Sequence, residues 1–350
     1  MSLPKVPNYT KGQIDRAGDL LVKNEYNEDA QNVLSEWRAC HAYPINTFQA
    51  TLRDKTATLK LANALVAQRL KRMPTIIDKL KRYPSMKLSR MQDIGGVRVV
   101  LDSFEDVKKM RDSYKNRSAN SRFEHKLVGE KDYIENPRSE DGYRSIHLIY
   151  AYKNRVAPDY EGLRLEMQIR TKLQHNWATA VETMGIYLNQ SLKSRLGKKE
   201  WIDFFAIVSS AFAHEEQLPL VPRFADMTKS QTFKAVSEAE RKLQVLEKLE
   251  VFAATARTIS THSRNNYYNL IILDTEKKEI LLKSFAKENF EKAKVAYSEA
   301  EDRAIKGERI EPVLVAAGSL SSLKSAYPNF FLDTKEFVSK VKDIIRQQDV

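Results

Sequence analysis

A single cysteine, Cys40, in 350 residues excludes an internal disulfide and any cysteine-rich zinc site. Apolar runs fall far short of the roughly 20 residues that span a bilayer. The opening Met1-Ser2-Leu3-Pro4-Lys5 has no apolar signal-peptide core, so a cytoplasmic protein with no membrane partner is expected. Glycine and proline number 11 each, and no internal repeat, low-complexity tract or Gly/Ser linker is present. What the chain has in excess is positive charge, a formal net +12.

That charge is unevenly placed. Residues 1–200 hold 36 Lys+Arg against 24 Asp+Glu, whereas residues 201–350 hold 22 of each. Residues 51–100 alone carry 12 basic against 3 acidic residues, more than one small nucleotide requires. With a Debye length of about 8 Å at physiological salt, such a field acts on a polyanion already at the surface, and RNA is the natural candidate.

The most informative stretch is Lys131 to His147, K-D-Y-I-E-N-P-R-S-E-D-G-Y-R-S-I-H. Asp141-Gly142 supplies a turn, and Tyr143, Arg144 and His147 follow it as a stacking ring, a fixed cation and an imidazole. Downstream, Glu166, Gln168 and Arg170 alternate with Leu165, Met167 and Ile169, so on a strand the three polar side chains share a face that can hold a metal and a phosphate. Taken singly, either piece reads equally as an ordinary hairpin edge or half-buried strand. Upstream, however, Arg69, Lys71, Thr75 and Lys79 fall at i, i+2, i+6 and i+10 in a stretch read as mostly helical. Asp93 then precedes Gly95-Gly96 and Arg98, which enters an apolar strand. Cations for polyphosphate and two acids for Mg²⁺ make a phosphoryl-transfer inventory.

These residues resemble the synthetase domain of the RelA/SpoT family, the ATP-dependent pyrophosphokinases that make pppGpp and ppGpp, over roughly residues 50–190. The family's R-x-K-x3-S-x3-K segment stands as Arg69, Lys71, Thr75 and Lys79, and its D-I-x-G-x-R as Asp93, Ile94, Gly96 and Arg98. Its loop ends here in Gly142-Tyr143-Arg144-Ser145-x-His147, with Arg138 in the second lysine place, and its E-x-Q-I-R-T strand is intact. The resemblance implies ATP bound by Arg69, Lys71, Thr75, Lys79 and Arg98, and Mg²⁺ on Asp93 and Glu166. It implies a catalytic group of Asp93, Glu166 and Gln168, with Glu166 the base. An acceptor would lie on Lys131, Tyr143, Arg144, His147 and Arg170, stacked on Tyr143. Departures concentrate on the acceptor side. Val181-Glu182 replaces Glu-His after Trp177-Ala178, Tyr187-Leu188 replaces Tyr-Lys, and His175 stands where an Asp or Asn is usual. No His-Asp pair of the family's hydrolase domain occurs, which implies a synthetase alone.

The expected class is α+β: a mixed sheet of nucleotidyltransferase-like kind flanked by helices, followed by a smaller α+β module. Helices are expected at 10–40 and 46–82, the second broken near Pro74, at 105–116, 173–193 and 201–214, and as one long amphipathic helix from 228 to about 263. Strands are expected at 94–101, 124–130, 144–152 and 163–170. The tail reads as a hairpin (267–273, 279–285), a helix (287–305), a strand (312–317), a helix (319–326), a short strand after Tyr327-Pro328-Asn329-Phe330, and a last helix from Thr334. His214-Glu215-Glu216 is read as a solvated helix end. Domain boundaries are expected at 1–224, 225–265 and 266–350.

The tail has no catalytic constellation. A synthetase domain with such a module resembles the fused toxin–antitoxin members of the family, the CapRel type. There the 3′ CCA end of tRNA is pyrophosphorylated, a phage protein relieves restraint, and a Y-x-x-Y element fills the ATP site. Tyr327 and Phe330 match that element with phenylalanine last. The resemblance therefore implies ATP as co-substrate, tRNA or GDP/GTP as acceptor, and a phage protein as partner. Alternatively the tail simply caps the edge of the catalytic sheet.

Overall fold

The computed structural model describes residues 6–23, 27–115, 123–188, 190, 192, 197–255, 257–261, 267–316, 324, 327–331 and 333–347. A five-stranded sheet lies at its centre: β1 (Leu65–Leu70), β2 (Gly95–Leu101), β3 (Lys126–Asp132), β4 (Ile146–Ala151) and β5 (Arg164–Thr171), in the order β1-β2-β5-β4-β3. β2 and β5 run parallel, and the other pairs are antiparallel. Alternation decides the two faces. Val97, Val99 and Leu101, Met167 and Ile169, and Leu148 and Tyr150 bury one face against Phe48 and Leu52 of α3 (Ala42–Thr58) and Val107, Met110 and Tyr114 of α5 (Phe104–Lys115). Of the residues between them, Arg98 and Gln168 are polar and form the site with the adjoining Glu166 and His147, whereas Val100 and Ile149 are buried and apolar.

Around the sheet, α1 (Lys11–Val22), α2 (Glu28–Ala39) and α4 (Met73–Arg82) share a core that includes Ile14, Leu34, Ile76 and Leu80. A helical layer holds α6 (Lys172–Tyr187), α7 (Lys199–Glu216), α8 (Lys229–Leu243) and α9 (Val245–Thr255). The last helix, α11 (Lys335–Arg346), also packs into it: Phe337, Val338, Val341 and Ile344 join Trp177, Phe205, Phe212 and Leu249 in one cluster. The second sheet, β6 (Arg257–Thr261), β7 (Tyr268–Asp274), β8 (Glu279–Phe285) and β9 (Ile310–Ala316), is ordered β6-β8-β7-β9. One of its faces buries Leu270 and Ile272 with Tyr297 and Ala300 of α10 (Phe290–Ile305). The other packs Ile271, Leu273, Leu282 and Val313 with Ala67 of β1 and Phe252 of α9. The α+β class with a mixed sheet is borne out.

Several expected elements are corrected. The 10–40 helix is two helices, α1 and α2, the second capped by the Asn27 side chain. The 46–82 helix contains β1, and Pro74 lies in the first turn of α4, where its missing N–H costs nothing, so it starts a helix instead of breaking one. The 228–263 helix ends twice. Gln244 adopts a left-handed conformation (φ 51°) between α8 and α9, and Arg257–Thr261 is a strand parallel to β8. A 3₁₀ turn spans Pro328–Phe331 and takes in the first residue of the short strand expected after Phe330, and residue 332 lies outside the described residues. The expected helix at 319–326 falls almost wholly outside the described residues. His214 is not at a solvated end, for it faces Thr232, while Glu215 pairs with Lys229 and Lys340. Among the described residues, no helix is long and apolar enough to cross a membrane.

Candidate active site

Register across the sheet builds the site. Arg98, Gln168, His147 and Lys131 oppose one another in one row on β2, β5, β4 and β3, and Arg69, Gly96 and Glu166 form the neighbouring row on β1, β2 and β5. Gly96 is required by a close approach: a Cβ there would sit 2.6 Å from the Glu166 carbonyl oxygen. The Lys71 N–H donates to the Ile94 carbonyl at 2.8 Å, extending the β1–β2 ladder, so Lys71 and Asp93 leave the sheet side by side.

Two carboxylates anchor the centre. Asp93 accepts from Lys71 Nζ at 2.7 Å and from Lys79 Nζ, one turn and more into α4, at 2.8 Å. Burial raises the Asp93 pKa, but the two ammoniums outweigh it and hold the carboxyl well below its ordinary value; the same burial lowers the Lys71 ammonium. Glu166 meets His147 Nδ1 at 2.8 Å and accepts from Gln168 Nε2 at 2.7 Å. Burial opposes ionisation of Glu166, and the His147 cation reverses that, so its carboxyl is held below the ordinary range. Gln168 in turn accepts from Arg98 Nε at 3.3 Å, which ties Arg98 to Glu166 through one amide.

Behind Glu166, His147 Nε2 meets the Tyr143 hydroxyl at 2.8 Å. Tyr143 is 9 % exposed. Its ring is covered by the Arg138 guanidinium at 4.4 Å and edged by Tyr133, His147 and Trp177, so the expected stacking face is occupied by the chain itself. Arg144 is directed elsewhere: it donates to Ser209 Oγ (3.0 Å), the Ile134 carbonyl (3.1 Å) and the Pro219 carbonyl (2.7 Å), locking the turn to α7. These bonds make it a brace for the loop, not a cation facing an acceptor. Gly142 in that turn has φ 77° and lies against Ser209. Arg170 is buried and donates to His175 Nδ1; burial lowers its pKa to about 9, with Arg98 adding repulsion. Thr75 is half-buried on α4, and Lys131 is exposed on β3.

The structure thus brings Arg69, Lys71, Lys79, Asp93, Arg98, Glu166, Gln168 and His147 together. Two participants escaped the sequence. The negative charge of Glu182 on α6 acts on both Arg98 and Arg170, on the side where the chain departs from the family motif. The Gln68 carbonyl, one residue before Arg69, accepts from the Tyr327 hydroxyl. Burial raises the Tyr327 phenol, and the charges of Arg98, Arg53 and Arg69 act against that rise. The Phe330 side chain lies outside the described residues; its neighbour Phe331 packs into the same cluster as Tyr327.

Mg²⁺ takes one or two carboxylates together with substrate phosphates. Asp93 and Glu166 interact electrostatically and offer hard oxygen donors, so the donor set fits such a shared ion. Among the described residues, no group of three or more His, Cys, Asp or Glu is arranged to hold a metal without phosphate help.

Residues 68–191 match the family described as "Region found in RelA / SpoT proteins". The chain is 30 % identical over 116 residues to the GTP pyrophosphokinase YjbM of Bacillus subtilis (strain 168), covering 33 % of this chain and 52 % of that protein. It is 29 % identical over 134 residues to YwaC of the same organism, covering 37 % and 60 %. The chain thus spans about half the length of these curated relatives. The crystal structure of small alarmone synthetase 2 from Bacillus subtilis aligns at a TM-score of 0.42 with 23 % identity, over 54 % of this chain and 95 % of that one. Small alarmone synthetase 1 from the same organism, bound to its product pppGpp, aligns at 0.41 with 22 % identity, over 51 % and 89 %.

Proposed function

We propose that this chain, which carries a RelA/SpoT region, is an ATP-dependent pyrophosphokinase that transfers the β,γ-pyrophosphate of ATP to a ribose 3′-hydroxyl, with AMP leaving. The observation that carries this reading is the pair of ionised carboxylates on one sheet face, Asp93 held by Lys71 and Lys79 and Glu166 held by His147 and Gln168. Lys71, Lys79, Arg69 and Arg98 bind and orient the donor phosphates and adenosine, offsetting charge as the phosphoryl bond to AMP breaks. Mg²⁺ on Asp93 and Glu166 would supply charge neutralisation across the transferred phosphates. Glu166 takes the proton of the attacking hydroxyl, and His147 keeps its carboxylate aimed and ionised.

As acceptor we propose the 3′ CCA end of tRNA, in a translation-inhibiting toxin restrained by its own C-terminal module and released by a phage protein. The basic surplus of residues 51–100 supports a polyanionic acceptor, and the His175–Arg170 contact and the Glu182 charge give this chain an acceptor side of its own. Tyr327, buried against β1 beside Arg69 and Arg98, supports restraint at the donor side. A second reading, GDP or GTP as acceptor in alarmone synthesis, is supported by the relatives named GTP pyrophosphokinases. Incubation with ATP labelled in its terminal phosphate, and with GDP, GTP or deacylated tRNA, separates the two. Label in tRNA alone supports the toxin reading, label in guanosine nucleotides alone the alarmone reading, and label in neither overturns the transfer chemistry.

A further inference from the structure

A cavity of about 390 Å³ lies in the seam between α2, α3 and β1 on one side and β7, β9 and α10 on the other. Its walls are mainly apolar, with Ile45, Leu70, Tyr268, Phe290 and Leu314 among them. Arg38 also lines it. Arg38 is 5 % exposed; its Nη2 pairs with Glu301 and its Cζ lies 5.2 Å from the Tyr297 ring centroid, yet its Nε and Nη1 have no hydrogen-bond partner. A buried donor left without an acceptor is costly, and a guanidinium fork is shaped for a carboxylate, phosphate or sulfonate. Gln68, also on the wall, has a buried Oε1 likewise without a hydrogen-bond partner, whereas the carboxylates nearby are already engaged. Glu301 is shared among Arg38, the Met73 N–H and the Tyr297 hydroxyl, and Glu291 pairs with Lys294 at the rim.

We infer that this seam is a binding site for a small amphiphilic anion, an apolar body of ring or chain type whose single acidic group meets Arg38 Nε and Nη1. The volume falls within the range of small-molecule sites, and the lining has their usual form, a mainly apolar wall with a few polar groups. Because both halves of the chain contribute wall, such a ligand bridges them at their observed spacing and stabilises the docked arrangement by mass action. The site stands apart from Asp93 and Glu166, so the inference does not depend on the proposed reaction.

The test uses the full chain and the fluorescent probe anilinonaphthalene sulfonate, displaced by decanoate or by uncharged decanol. One saturable probe site is expected, with decanoate displacing at least about tenfold better than decanol, a difference of about 1.4 kcal/mol. Ser298→Trp, which fills the exposed rim of the cavity, should abolish the site, while Val156→Trp, at an exposed position that does not line the cavity, should leave it intact. Arg38→Lys, which keeps a charge for Glu301 but removes the fork, should weaken decanoate about tenfold and leave decanol unchanged. Equal displacement by acid and alcohol, saturable binding that survives Ser298→Trp, or no saturable site in the intact protein would overturn the inference.

Discussion

Glu301, on α10 of the C-terminal module, accepts the backbone N–H of Met73, the first residue of α4, at 3.1 Å. A carboxylate from the far end of the chain therefore caps the helix that carries Thr75 and Lys79, with the favourable charge sign for a helix N-terminus. Arg38 and Tyr297 complete the network, and Arg72 pairs with Glu311 of β9 at 3.2 Å beside it. The start of the helix that carries Lys79 is thus joined to α10 and β9 through neighbouring ionic contacts.

Glu301→Ala removes the cap and strands Arg38 in the seam. A loss of roughly 3–5 kcal/mol is expected, as for other broken buried pairs, together with a raised KM for ATP because the first turn of α4 frays. The double substitution Arg38→Met with Glu301→Leu should recover much of the stability but not the cap. Denaturant midpoints of the parent, Arg38→Met, Glu301→Leu and the double variant measure the coupling, and additive losses would show that the pair acts independently.

Glu166→Gln keeps the size of the side chain and one acceptor oxygen, but it loses the charge and the second acceptor and cannot take a proton. Turnover should fall by at least ~10²-fold while the unfolding midpoint shifts little. Near-normal transfer in this variant would remove Glu166 from the base role and leave it a structural partner of His147.

Tyr327→Phe deletes the bond to the Gln68 carbonyl, and Tyr327→Ala also empties the ring's place beside Ala67 and Val313. If Tyr327 restrains the donor side, both variants raise tRNA labelling or growth inhibition on expression, alanine more than phenylalanine. Labelling and growth equal to the parent in both would reduce Tyr327 to packing.

Lys81 lies exposed at the end of α4 and Arg82 beside it pairs with Asp78. Replacing both by glutamate should weaken tRNA binding and lower the slope of log affinity against log salt by about 1–2, with ATP affinity unchanged. An unchanged salt slope would place the polyanion elsewhere.

His41 is wholly buried between α2 and α3, its Nδ1–H donating to the Trp37 carbonyl at 2.9 Å. Burial lowers its pKa from 6.5 to about 4. The unfolded chain therefore binds the proton first on acidification, so stability is complete above about pH 6.5 and falls by up to about 3 kcal/mol as pH approaches 4. His41→Gln should flatten this part of the stability curve. A slope identical to the parent's would assign the acid loss to other groups.

Strand alternation made part of the site legible in the chain. Glu166, Gln168 and Arg170 share a face because period two is a local property, whereas Arg98 joins them only through the pairing of β2 with β5. The basic cluster and the lack of a second cysteine were equally plain. Leu65–Leu70 was not legible as a strand, because L-V-A-Q-R-L has no alternation of its own and becomes extended by pairing with β2. The same holds for Arg257–Thr261, which owes its form to β8.

Which residues face one another was decided by tertiary structure alone. Arg144 follows Tyr143 in the motif, yet hydrogen bonds to Ser209 and Pro219, more than 60 residues away, take it out of the site. Tyr143 lies in the same motif and is covered by Arg138. The Glu301–Met73 and Tyr327–Gln68 contacts join residues 228 and 259 positions apart. Side-chain type and period are carried by neighbouring residues and can be read directly. Which buried charge finds which partner depends on where distant segments pack, because only there is water removed and an unpaired group made costly.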